Sequence, residues 1–303
     1  MSASAQSAIS ALSRAPALLR RLEWRVRHAA GSLVGGEYRS AFRGRGREFD
    51  QVVRYEYGDD VRDIDWNVTA RRGEPYRKKY VEERELTIAL LFEDSLSLQF
   101  GSALRSKREL LLELAGLFAL VSAGSRDRVG TVYAAPGRFE LRPPLRGRAR
   151  ILAAASELCL RPAPALEAQG QTAIDWRRLH AAFPRHAVLV WLSDFPPLAA
   201  EKDLAPERRR FECIGVRAED PFERALPDLG VLAVADPTSG ELLPLDTRAA
   251  ATRRRHAEWR AQRDQRLRAL FPAAESRLCV GTDEDPLAAL LRFFRLRMQR
   301  LHR

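Results

Sequence analysis

The sequence predicts an α/β protein: a mostly parallel sheet with helices on both faces, plus a small strand- and turn-rich N-terminal segment. Three observations predict it. Continuous apolar runs of strand length recur from Leu86 onward, as at Leu86–Phe92 and Ala187–Leu192, and such runs suit strands buried on both faces. Stretches with helical spacing lie between them, such as Leu110, Leu114, Leu117, Phe118 and Val121. Strands alternating with helices argue for parallel pairing. At 303 residues and 46% hydrophobic content, the chain can bury a large core, and disorder throughout is excluded.

The elements follow in order. Residues 1–35 read as a basic N-terminal extension. Leu19, Leu22, Trp24 and Val26 alternate there with Arg20, Arg21, Arg25 and Arg27 on a helix, and Gly31, Gly35 and Gly36 break it. In residues 36–85 the apolar residues come singly (Phe49, Val52, Val53, Tyr55, Tyr57, Ile64, Trp66), which reads as short strands and turns. Gly58-Asp59-Asp60 is one such turn. Residues 86–303 form the main domain. Beyond the first strand and helix, Arg128–Ala134 is a strand, and Arg138–Leu141 pairs with it through Pro136-Gly137. Helices follow at Ala149–Leu160 and Ile174–Phe183, and strands at Phe211–Val216 and Gly230–Ala235. A long basic helix spans Arg248–Phe271, and Leu278–Val280 is a last short strand. The C-terminal helix carries apolar residues at 287, 290, 291, 294, 298 and 301, with Asp285 as N-cap and Pro286 in its first position.

The net charge is +11, and the excess is local. Residues 1–50 hold nine arginines against four acids, and residues 247–271 hold eight against two. Basic stretches of this kind suit a solvated helix face or steering toward an acidic partner. The absence of a helix-turn-helix, zinc finger or aromatic RNA-binding motif beside the base argues against nucleic acid as a partner. Three scattered cysteines (Cys159, Cys213, Cys279) point to a reducing compartment without structural zinc. The longest apolar stretch, Leu110–Ala123, contains Glu113 and is too short for a membrane span. The expected location is the cytoplasm.

Ligands of open α/β sheets collect beyond the carboxyl ends of the strands. There the sequence places Glu93-Asp94-Ser95-Leu96-Ser97, then Thr172 before a helix, then Ser193-Asp194. These hard oxygen donors from three segments suit Mg²⁺ or Mn²⁺. Asp59, Asp60, Asp63 and Asp65 among Arg54, Arg62, Arg71 and Arg72 read as an ion-pair network pinning a loop-rich segment, with Trp66 as apolar anchor. The RGRGRE stretch at residues 43–48 has no following Lys-Ser/Thr and is not a phosphate loop.

One long block carries a resemblance. Gly44-x-Gly46-x-Glu48-Phe49, Arg54-x-Glu56-x-Gly58-Asp59-Asp60-Val61-Arg62-x-Ile64-Asp65-Trp66 and Thr69-Ala70-Arg71 resemble the signature of domain-of-unknown-function family 58. The likeness continues at Tyr80-x-Glu82-Glu83-Arg84, Ser193-Asp194-Phe195, Asp236-Pro237-x-x-Gly240 and Thr282-Asp283. It implies a von Willebrand factor A-like, Rossmann-like fold. It also implies partnership with a MoxR-type AAA+ ATPase, in which the chain acts as a non-enzymatic adaptor or assembly factor for an unknown client. A metal-ion-dependent adhesion site of this kind uses Asp-x-Ser-x-Ser, a Thr and a later Asp. The carry-over gives Ser95, Ser97, Thr172 and Asp194, with Glu93 in place of the first Asp. Glutamate is one methylene longer, which disturbs the octahedral geometry Mg²⁺ demands. The alternative reading is a metal-dependent hydrolase or transferase on the same carboxylates, with Asp94 as the available acid/base.

Overall fold

Two apolar strands set the centre of the molecule. In the computed structural model β3 (Thr87–Glu93) and β6 (Val188–Ser193) pair in parallel, with Leu91 opposite Trp191. The structure describes residues 17–26, 28, 31–43, 49–80, 85–165, 172–195, 204–235 and 242–301. Motif residues 44–48, 81–84 and 236–240 lie outside the described residues.

β4 (Arg128–Ala135) and β5 (Arg138–Leu145) extend the sheet on one side of β3. β7 (Glu212–Glu219) and β10 (Arg277–Gly281) extend it beyond β6, giving the order β10-β7-β6-β3-β4-β5. All pairings are parallel except β4–β5. The chain moves outward from β3 through β5, then returns to the other side of β3 at β6. The strand order therefore reverses between β3 and β6. Antiparallel β5 forms one edge and carries Pro143 and Pro144, which suits an edge strand.

Alternation along β3 explains its unbroken apolar run. Ile88, Leu90 and Phe92 face α4 (Lys107–Gly124), α5 (Arg148–Leu160) and α10 (Pro286–Leu301), in a core with Leu114, Leu117, Phe118, Leu290 and Phe294. Ala89 and Leu91 face the opposite layer, where α6 (Trp176–Ala182) and the end of α9 (Ala250–Leu270) contribute Trp176, Leu179 and Leu267. Gly215 of β7 lets the Phe271 ring lie on that face, since a Cβ there would sit about 2.4 Å from it. α7 (Ala205–Arg210) and α8 (Pro221–Arg224) precede and follow β7. Asp285 caps α10, its carboxylate accepting the Leu287 N–H at 2.9 Å. No described helix is long and apolar enough to cross a membrane.

Three expectations need correction. The glycines at 35 and 36 do not break the chain. After α1 (residues 17–26), α2 runs from Gly31 to Arg43, so the 35/36 boundary falls inside one helix. Tertiary burial overrides the glycine penalty. Tyr38 is fully buried, and its hydroxyl donates to Asp127 at 2.8 Å. Second, Gly230–Ala235 does not join the main sheet. β8 (Val231–Ala235) pairs with the unexpected β9 (Leu242–Asp246) in a separate ribbon. The short separation favours local antiparallel closure, and Val231 and Leu242 are each 67% exposed on it.

The third correction concerns the compact unit Arg43–Glu85. β1 (Phe49–Arg54) and β2 (Tyr76–Tyr80) form the expected short strands, and Gly58 sits in a turn at φ 109°. Between them, however, Trp66–Arg72 is a helix, α3. Its caps set it rather than apolar periodicity. Asp65 accepts the Asn67 and Val68 N–H groups, and Gly73 ends it in the left-handed region. Arg77–Asp59 and Arg54–Glu74 are ion pairs, but Trp66, expected as the apolar anchor, is 70% exposed.

Candidate ion-pair centre at the strand reversal

The crevice between β3 and β6 is where an open α/β sheet holds ligands. Asp194, the residue after β6, is its centre. Its Oδ1 accepts the Ser95 hydroxyl at 2.9 Å, and its Oδ2 lies 2.9 Å from Lys107 Nζ. The Ser95 and Ser97 hydroxyls are 3.0 Å apart. Lys107 reaches Glu223 Oε1 at 2.7 Å. Arg263 closes the network, donating to Glu223 Oε1 at 2.9 Å and to the Asp194 carbonyl at 2.7 Å.

Local sequence delivers each group. Ser95 starts a tight helical turn at Leu96–Gln99. Ser106 and Glu109 form a reciprocal capping box that starts α4, which makes Lys107 its first helical residue. A second such box, Asp220 with Glu223, starts α8. Glu223 Oε2 accepts the Asp220 N–H at 3.1 Å, leaving Oε1 for Lys107 and Arg263. Asp220 itself accepts from the Ser102 N–H at 2.7 Å and the Thr282 hydroxyl at 3.1 Å. Burial pushes the Asp194 carboxyl up. The charges of Lys107 and Arg263 and the hydrogen bonds from Ser97 and Lys107 more than offset it, lowering its pKa to about 2.

The sheet separates the expected residues. Strand alternation sends Glu93 to the face of Leu91 and Trp191, where Trp191 Nε1 donates to its Oε2 at 2.8 Å. Burial raises the Glu93 pKa to about 7, only partly offset by the Ser193 and Trp191 hydrogen bonds. Thr172 is half-buried and bridges Pro136 beyond β4. That places it two strands from β6, about 10 Å at the usual spacing. Asp94 is fully buried and held by Arg108 Nε at 3.0 and 3.1 Å and by the Tyr133 hydroxyl at 3.0 Å. Burial raises its pKa in spite of Arg108. The structure thus brings together Ser95, Ser97 and Asp194, and leaves Glu93 and Thr172 elsewhere.

These residues do not fit Mg²⁺ or Mn²⁺. Such an ion sits near 2.1 Å from its oxygens, and Lys107 already holds the open side of Asp194. Among the described residues no three His, Cys, Asp or Glu side chains gather to hold a metal.

A family described as protein of unknown function DUF58 matches residues 51–267. The chain belongs to this family. The uncharacterized protein Rv1480 of Mycobacterium tuberculosis (strain H37Rv) and the uncharacterized protein Mb1516 of Mycobacterium bovis are similar to it. Each is 28% identical over 278 residues, which is 91% of this chain and 88% of the relative. Among solved structures, the PilB minor pilin from Streptococcus sanguinis is 11% identical, covering 76% of this chain and 66% of its own, with a TM-score of 0.35. That score carries no argument about fold. The DUF58 match includes every member of the Asp194 network.

Sequence reasoning missed Lys107, Glu223 and Arg263. A signal for the first was present: a lysine directly after the N-cap of a Ser-x-x-Glu box, at the helix end where cations are disfavoured. The second sits in an Asp-Pro-x-Glu box with the same logic. Nothing local marks Arg263 among the arginines of α9.

Proposed function

We propose that this DUF58 chain is a von Willebrand factor A-like interaction module, a cytoplasmic adaptor or assembly factor for a MoxR-type AAA+ ATPase and its client. One observation carries the non-enzymatic part of this reading. The crevice at the strand reversal is filled by the chain's own Lys107–Asp194–Glu223–Arg263 network. Counted from β3, the sheet order 3-2-1-4-5-6 with an antiparallel third strand supports the fold assignment. The ATPase partner follows from the family resemblance in the signature block. The hydrolase alternative needs a free acid/base, and Asp94 is already engaged by Arg108 and Tyr133.

The docking face we favour is α9. Only Thr252 and Leu267 of its 21 residues are buried, and Arg254, Arg255 and Arg268 are exposed. Such a face steers association with an acidic surface. The test is binding of the purified chain to the MoxR-type ATPase of the same organism. Saturable binding is expected, weakened about tenfold or more by Arg254→Glu with Arg255→Glu and by added salt. Absence of binding, or binding indifferent to both changes, contradicts the proposal.

A further inference from the structure

We propose that Lys107 is a built-in replacement for a divalent cation, so that the strand-end centre of this protein is complete without metal. The proposal concerns the centre itself and does not depend on the adaptor reading.

The donor set around Lys107 Nζ is the kind that holds a hard cation. Asp194 is at 2.9 Å and Glu223 at 2.7 Å, and the carboxylate of Asp194 is backed by the hydroxyl of Ser95, which lies 3.0 Å from that of Ser97. The charges already balance: two carboxylates, Asp194 and Glu223, meet one ammonium and one guanidinium, Lys107 and Arg263. An added dication would leave a buried centre with excess positive charge, which a low-dielectric site resists.

Lys107 is an unusual residue for its position. Its side chain is 1% exposed, and lysine is almost never fully buried unless paired. It also sits in the first turn of an 18-residue helix, where the helix dipole disfavours a cation. Both costs are met by the two carboxylates. The nearby carboxylates are likewise held by groups of the chain itself. Asp94 is bound by Arg108, the next residue along α4, and Asp220 by Ser102 and Thr282. α4 therefore opens with two consecutive cations, each closing one buried acid beyond a central strand.

The test is titration of the full-length protein with Mn²⁺, followed by electron paramagnetic resonance of free Mn²⁺ and by Tm. The wild type is expected to show no saturable site at millimolar Mn²⁺ and no Tm shift between Mn²⁺ and EDTA. Lys107→Ala leaves two carboxylates and two hydroxyls around an ammonium-sized gap. That variant is expected to melt lower, to gain one Mn²⁺ site, and to recover part of its lost Tm on binding. A saturable wild-type site that Asp194→Asn abolishes would overturn the proposal. So would a folded Lys107→Ala protein that gains no Mn²⁺ binding. If Lys107→Ala does not fold, the wild-type titration alone decides, since a metal-requiring centre must bind Mn²⁺ there.

Discussion

Two carboxylates stand at the ends of neighbouring parallel strands and behave in opposite ways. Glu93, the last residue of β3, is pushed up to about 7, and Asp194, the residue after β6, is drawn down to about 2. Both are buried. Glu93 faces the aromatic layer, where hydrogen bonds from Ser193 and Trp191 and the charge of Arg266 offset its burial only in part. Asp194 faces the start of α4 and meets Lys107, with Arg263 beside it. Burial pushes both carboxyls up, so burial alone does not set where a strand-end carboxyl titrates. The side of the sheet it faces, and the counter-charge waiting there, decide.

The largest way to break this contrast is to remove the counter-charge. Lys107→Met leaves Asp194 and Glu223 without their shared ammonium, and we expect a loss of about 3–5 kcal/mol in denaturant unfolding. The pH dependence has a definite sign. Asp194 titrates below its ordinary 3.8, so its contribution is complete above that value and is lost as the pH falls toward about 2.

Glu93 gives the opposite slope. Its folded value lies above its ordinary 4.5, so its stabilising effect is complete below about 4.5 and is lost as the pH rises through about 7. Glu93→Gln should flatten that slope. At pH 8 the variant should be more stable than wild type by as much as about 3 kcal/mol, with the advantage vanishing near pH 4.5. Unfolding curves at several pH values check it.

Smaller changes sharpen the comparison. Trp191→Phe removes the indole donor to Glu93 and should cost about 1–2 kcal/mol above pH 7. It should also move the Glu93 transition to higher pH, which a pH series reads directly. Arg254→Glu with Arg255→Glu lies on the exposed side of α9. It should change stability by no more than about 0.5 kcal/mol, so any effect on partner binding belongs to the interface.

Much of the scaffold was legible in the sequence because its signals are local. The apolar runs of β3 and β6 marked the sheet centre, and Asp285-Pro286 with the stripe at 287, 290 and 294 marked α10. The rim itself was legible, since Ser95, Ser97 and Asp194 do meet. What was hidden depends on contacts distant in sequence. α2 is helical despite its glycines because Tyr38 reaches Asp127, 89 residues away. Lys107 and Glu223 meet across 116 residues, and no pattern in either neighbourhood announces the other. Glu93 and Thr172 were grouped with the rim by their expected place at the strand ends, and again by family spacing. The strand pleat turned Glu93 to the other face, and the intervening β3 separates Thr172 from Asp194.

The central claim is that the cation at the strand reversal belongs to the chain. Crystals of the wild-type protein grown with Mn²⁺ and measured near the manganese edge test it most directly. We predict no anomalous peak beside Asp194, with Lys107 Nζ within hydrogen-bonding distance of both Asp194 and Glu223. A manganese peak on the Asp194 carboxylate, with Lys107 swung away, would contradict it.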